Sequence, residues 1–111
     1  MDGKVGEVRK TPTFERWFKR LVDMRAKAKI LSRIAQLEDG VWGDVRSVGD
    51  AVFELRIMFG PGYRLYATML SGQVVLLVCG GDKSSQQRDI AKAKRYAQLI
   101  RLKEDDDEKP L

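Results

Sequence analysis

Three cations and one aromatic ring stand out as residues that could do chemistry together. In "VFELRIMFGPGYRLYATM" the chain alternates apolar and polar positions, and the polar set includes Arg56, Arg64 and Tyr66. A fourth residue, Lys83, follows "VVLLVCGGD", where an apolar run breaks off in two glycines and an acid. Guanidinium forks match the oxygens of a phosphodiester, and a tyrosine ring can stack a splayed base. Cleaving RNA needs four things: a base for the 2′-hydroxyl, in-line positioning, neutralisation of the charge that builds on the phosphate, and an acid for the leaving 5′-oxygen. Arginines supply the electrostatic part, and a lysine or carboxylate can move the protons. The plainer reading is that Glu54 and Arg56, and likewise Arg64 and Tyr66, merely pair with neighbours on a wet sheet face.

Composition limits the alternatives. The chain has 111 residues and no histidine, which excludes Ser-His-Asp and Cys-His catalysis and histidine metal ligation. Cys79 is the sole cysteine; it forms no disulfide within the chain, and inside an apolar run it reads as a small buried hydrophobe. No cofactor or metal is expected. The formal net charge is +5, but "EDDDEK" at 104–109 holds five acids and one lysine, leaving residues 1–103 at +9. Such a body suits a polyanionic partner, nucleic acid or an acidic protein, although surplus lysine also serves solubility. No apolar run approaches a membrane span, and the N-terminus lacks the apolar core of a secretion signal, so a cytoplasmic protein is expected.

The elements that must position these residues follow from periodicity. "KVGEVRKT" reads as a short edge strand. In "TPTFERWFKRLVD", Thr11 caps a helix, Pro12 opens it, and Phe14, Trp17, Phe18 and Leu21 form one stripe. "RAKAKILSRIAQLEDG" reads as a second helix with Ile30, Leu31, Ile34 and Leu37 inward and Gly40 ending it. Lys27 and Arg33 lie on or near the polar faces of this pair and are candidate RNA contacts. So are Arg46, in the candidate strand "DVRSVG", and Tyr66.

From residue 45 the period is two. If odd positions face the core and Gly60 to Gly62 form a three-residue loop, paired residues sum to 122, which sets Arg56 opposite Tyr66 and Met58 opposite Arg64. "QVVLLVC", apolar throughout, suits a strand covered on both faces. Gly80-Gly81 serve either as a strand-end turn of positive φ or as bare backbone that lets RNA approach Lys83. Ser84 with Gln87 fits a capping box for a last helix with Ile90, Ala93, Ala97 and Ile100 inward. The fold class is then α+β: a helix pair on one face of a small antiparallel sheet of three to four strands, plus a C-terminal helix. Residues 1–103 make one domain, and 104–111 an acidic tail expected to be disordered.

The hairpin "ELR…GPGYRLY" and the strand-to-helix junction "GGDKSSQQRDI" together resemble the RelE/ParE toxin superfamily, most closely its HigB-like branch of addiction module killer proteins. The resemblance spans about residues 10 to 101. It implies a toxin of a type II toxin–antitoxin system that cleaves mRNA in the ribosomal A site, with a basic surface on 16S ribosomal RNA and a helix-turn-helix antitoxin as partner. Arg56, Arg64 and Lys83 match the family's basic positions. The family's C-terminal acid or base, a tyrosine or histidine, has no counterpart in Arg88-Asp89-Ile90. ParE-like members share the fold and inhibit DNA gyrase by binding, and that reading stays open beside RNA cleavage.

Overall fold

The computed structural model describes residues 6–108, with side chains through 103. It is an α+β fold of five strands and three helices: β1 (Glu7–Lys10), α1 (Pro12–Arg20), α2 (Met24–Glu38), β2 (Val45–Gly49), β3 (Val52–Ile57), β4 (Tyr63–Ser71), β5 (Val74–Gly81) and α3 (Gln86–Glu108), with a 3-10 turn at Lys83–Ser85. The sheet order is β1-β5-β4-β3-β2. Strands β2 to β5 form an antiparallel meander, and β1 adds to it parallel to β5. The sheet therefore has five strands rather than three or four, and it is not wholly antiparallel.

Local signals account for the helix starts. The Thr11 hydroxyl accepts from the Phe14 N–H at 3.0 Å and donates to the Val78 carbonyl at 2.6 Å, so one side chain caps α1 and ties it to β5. Asp23 caps α2 through the N–H groups of Arg25 and Ala26. Gly40, at φ 86°, ends α2 in the left-handed conformation. The junction before α3 is capped by Asp82, not Ser84. Its carboxylate accepts from the Ser84 N–H at 2.8 Å, and the Ser85 hydroxyl accepts from the Asp82 N–H at 3.2 Å. Hydrogen bonding by Ser84 holds the Asp82 carboxyl below its ordinary pKa against a smaller effect of burial.

Helices cover both faces of the sheet. The odd positions of β3 and β4 (Leu55, Ile57, Tyr63, Leu65, Ala67) join Val75 and Leu77 against Phe14 of α1 and Ala26, Ile30, Ile34 and Leu37 of α2. On the other face Val52, Tyr66, Leu76, Val78 and Cys79 pack against Ala93 and Ala97 of α3. A register shift between Tyr66 and Ala67 lets the consecutive residues Val78 and Cys79 both reach this second cluster. The β5 strand is thus apolar on every position because α1 packs on one side and α3 on the other. Leu31, expected inward, is 51% exposed.

The α3 helix runs through Glu108. It enters the acidic run that charge pattern assigned to a disordered tail; residues 109–111 lie outside the described residues. Among the described residues no helix is long and apolar enough to cross a membrane.

Candidate anion site at the end of the β3–β4 hairpin

The closing pair of the hairpin is Ile57 with Tyr63, so the loop is five residues, Met58 to Gly62, and paired residues sum to 120. The sum is even, so the odd positions keep the core face. The two-residue difference moves the partners: Arg56 faces Arg64, and Glu54 faces Tyr66. Facing like charges disfavour a sheet pair. Each arginine is held by its own carboxylate. Arg56 donates from Nε (3.1 Å) and Nη2 (2.7 Å) to Asp44 Oδ1, which raises its pKa. Arg64 Nη1 lies 3.7 Å from Glu54 Oε2.

Glu54 is the centre of the arrangement. Its side chain is fully buried, between α3 and the sheet. Arg46 Nε donates to Oε1 at 2.8 Å; the Tyr66 hydroxyl and Gln86 Nε2 donate to Oε2 at 2.9 and 3.0 Å. Burial by itself raises the carboxyl pKa, but the hydrogen bonds from Gln86, Arg46 and Tyr66 together outweigh it, and the net direction is down. Glu54 is therefore an anion that anchors four side chains from β2, β3's neighbour β4, and α3.

This geometry settles the fate of Tyr66. Its ring is fully buried under α3 and its hydroxyl is committed to Glu54. Burial, then the Glu54 hydrogen bond, push its pKa well above that of an ordinary phenol. Its ring is not accessible for stacking a base. Arg46 is half-exposed and belongs to the network through Glu54. Arg33 and Lys27 lie elsewhere. Arg33 is 8% exposed, and its Nη2 donates to the Asp44 carbonyl at 2.8 Å, so it braces the α2–β2 loop rather than a ligand. Its pKa is lowered by burial, only partly offset by Asp44. Lys27 reaches back to α1, with Nζ 3.4 Å from the Lys19 carbonyl and 5.3 Å above the Phe18 ring.

The three cations expected to act on a phosphate do converge. Arg56, Arg64 and Lys83 line one groove of about 340 Å³ that also touches the whole 58–62 loop and Tyr63. The α3 helix starts beside Glu54 through Gln86 and passes the Asp50 carbonyl, to which Arg101 donates at 3.5 Å. It covers the Val52 end of this sheet face, and its first turn sets Asp89 against Gly81, the ladder partner of Arg64. Arg64 is therefore only 9% exposed, while Arg56 at the strand end stays partly exposed. Lys83 is directed there by the Asp82 cap, and its aliphatic stem lies against Gly62: a Cβ on Gly62, at φ 80°, would sit 3.3 Å from Lys83 Cγ. Arg64 Nε is buried with no hydrogen-bond partner among the described residues. Arg33 Nη1, outside the groove, is likewise buried without a partner among those residues, and each such unpaired guanidinium N–H costs free energy.

No family model matches the chain. It is 49% identical over 96 residues to an uncharacterized protein of Haemophilus influenzae, across 86% of this chain and 97% of that protein. The chain belongs to that protein's family. The alignment is long enough to span the domain rather than one motif.

Gly80-Gly81 have a reason that neither expectation supplied. Their φ values are not positive, and both are buried within β5. A Cβ on Gly80 would lie 2.3 Å from the Trp17 ring, and one on Gly81 would lie 1.8 Å from Asp89 Oδ2 and 2.5 Å from Ser85 Oγ. The glycines let α1 and α3 press on opposite faces of the strand end. Four contributors escaped sequence reasoning: Glu54 as a buried anchor, Gln86, Asp44, and Tyr63 as a groove wall. Glu54 had a signal, since an acid inside an apolar strand demands partners.

Proposed function

We propose that the chain is the toxin of a type II toxin–antitoxin pair, a ribosome-dependent endoribonuclease that cleaves mRNA in the A site and halts translation. The observation that carries this reading is the groove in which Arg56, Arg64 and Lys83 meet. Arg64 neutralises the scissile phosphate from a position fixed by β4 and Glu54. Arg56 adds a second guanidinium while Asp44 orients it. Lys83 closes the clamp from the opposite wall. Proton transfer falls to Lys83, the exposed titratable side chain of the groove, because Glu54 and Tyr66 are sealed beneath α3 and Tyr63 packs into the core. The partners are then 16S ribosomal RNA, the message, and a helix-turn-helix antitoxin, all in the cytoplasm.

The poverty of proton-transfer groups in the groove favours one rival, a ParE-like protein that binds and inhibits DNA gyrase without nuclease chemistry. Tightly controlled expression with primer extension on translating ribosomes separates the two. Cleavages within coding regions that vanish when translation is blocked support the nuclease. Growth arrest with intact messages and DNA-damage signalling supports the gyrase inhibitor. Arg64→Ala abolishes arrest at equal expression while the domain stays folded; a toxic Arg64→Ala protein refutes the assignment of the site.

A further inference from the structure

A second cationic groove lies beside the first. It occupies about 350 Å³ between α1, the end of β5 and the start of α3, with Gly80 and Gly81 in its floor. Arg16 and Arg20 come from α1, Arg88 and Lys92 from α3. Each pair is spaced i, i+4, so each places two like charges on one helix face, at a cost of a few tenths of a kcal/mol. None of the four forms an ion pair among the described residues. The two acids in the same groove, Asp82 and Asp89, offset part of this charge, so the groove holds four cations against two carboxylates. Asp82 is occupied by Ser84, and the nearly buried Asp89 accepts from the Ser85 hydroxyl at 2.5 Å.

The two grooves adjoin. Gly81, in the floor of the second, is the ladder partner of Arg64 in the first. Asp82 and Lys83 are consecutive, one lining each groove. Trp17 of the second touches Tyr63 of the first, with ring centroids 6.4 Å apart. Trp17 is held against Gly80 as floor rather than offered as a stacking platform.

We infer that the α1–α3 groove binds the backbone of the RNA strand flanking the scissile phosphate, with Arg16, Arg20, Arg88 and Lys92 taking its phosphates. Side chains on two helices that flank the glycine end of β5 from opposite faces suit a single strand, whose phosphates accept without regard to base identity. This rests on the reading of the Arg64 groove as an RNA site, and the test keeps the two apart. The probe is a fluorescein-labelled, 2′-O-methylated oligouridylate of about 12 nucleotides, within the range such grooves hold. Binding is titrated from about 50 to 200 mM KCl. Each phosphate contact on a single strand contributes about 0.7 to the slope of log affinity against log salt, so Arg16→Ala/Arg88→Ala lowers that slope by about 1.4. Arg95→Ala, an exposed α3 cation outside both grooves, leaves it unchanged.

An unchanged slope in the double variant overturns the inference. So does an equal loss per charge in Arg95→Ala, which would mean diffuse attraction, and so does displacement by poly-glutamate as readily as by unlabelled oligouridylate, which would mean an acidic protein. Arg16 and Arg88 are exposed, and an unaltered melting temperature checks that both variants fold. If Arg64→Ala remains toxic while the double variant loses slope, the function assigned to the first groove fails and with it the placement of the strand beside a scissile phosphate, while RNA-backbone binding by the second groove stands. If Arg64→Ala abolishes arrest and the slope does not move, only the second is struck out.

Discussion

Replacing Glu54 by glutamine tests whether a buried carboxylate organises the arginine pair. The amide oxygen can take the Oε2 position and keep the Tyr66 and Gln86 hydrogen bonds as neutral ones. The amide nitrogen then meets Arg46 Nε, donor against donor, and Arg64 loses its counter-charge at 3.7 Å. Stripping one partner from a buried ion pair costs about 3–5 kcal/mol. Arg46 is half-exposed and the Arg64 contact is long, so the loss here is about 2–3 kcal/mol. With a urea slope of about 1–1.5 kcal/mol/M for a domain of this size, the unfolding midpoint falls by about 2 M at pH 7. The pH dependence gives an independent check. Folding depresses the Glu54 pKa below its ordinary 4.5. Its contribution is therefore complete above pH 4.5 and is lost as pH falls through the lower folded value. The gap between wild type and Glu54→Gln should close as the solution is acidified below 4.5. Equal midpoints at pH 7, or a gap that stays constant in acid, would refute the reasoning.

Two further outcomes follow from packing. Gly80→Ala forces a methyl into the Trp17 ring, which is itself wedged against Phe14 and Tyr63. The expected cost is about 3 kcal/mol, a fall of about 12–20 °C in melting temperature, and Trp17→Leu in the same chain should restore part of it; a normal melting temperature for Gly80→Ala would contradict the contact. Tyr66→Phe removes one hydrogen bond to Glu54 and destabilises by about 1–2 kcal/mol in urea titration. Its RNA affinity and growth arrest should match wild type, since the ring is sealed from the groove; a tenfold loss of affinity would show that Tyr66 reaches the ligand.

Much of this was legible in the sequence because it depends on local rules. The Thr11-Pro12 cap, the Gly40 stop, and the alternation of β3 and β4 follow from near neighbours along the chain. So does the grouping of Arg56 and Arg64 on one face, since any even register sum preserves it. What needed the tertiary structure was set by contacts between distant segments. The hairpin closed at Ile57–Tyr63 instead of Phe59–Tyr63 because a five-residue loop was an equally even solution, and only the folded ladder chose between them. Tyr66 and Arg33 look like surface residues by period alone. Their burial comes from α3 crossing the second sheet face and from the α2–β2 loop folding over Arg33. Glu54 became an anchor once β2, β4 and α3 each brought it a donor. The two glycines carry no positive φ to announce them; their role is the approach of Trp17 and Asp89 from opposite sides. Residue type and period determine which side chains share a face. Which of those faces another helix then covers, and which is left open for a ligand, is decided by packing between elements far apart in the chain.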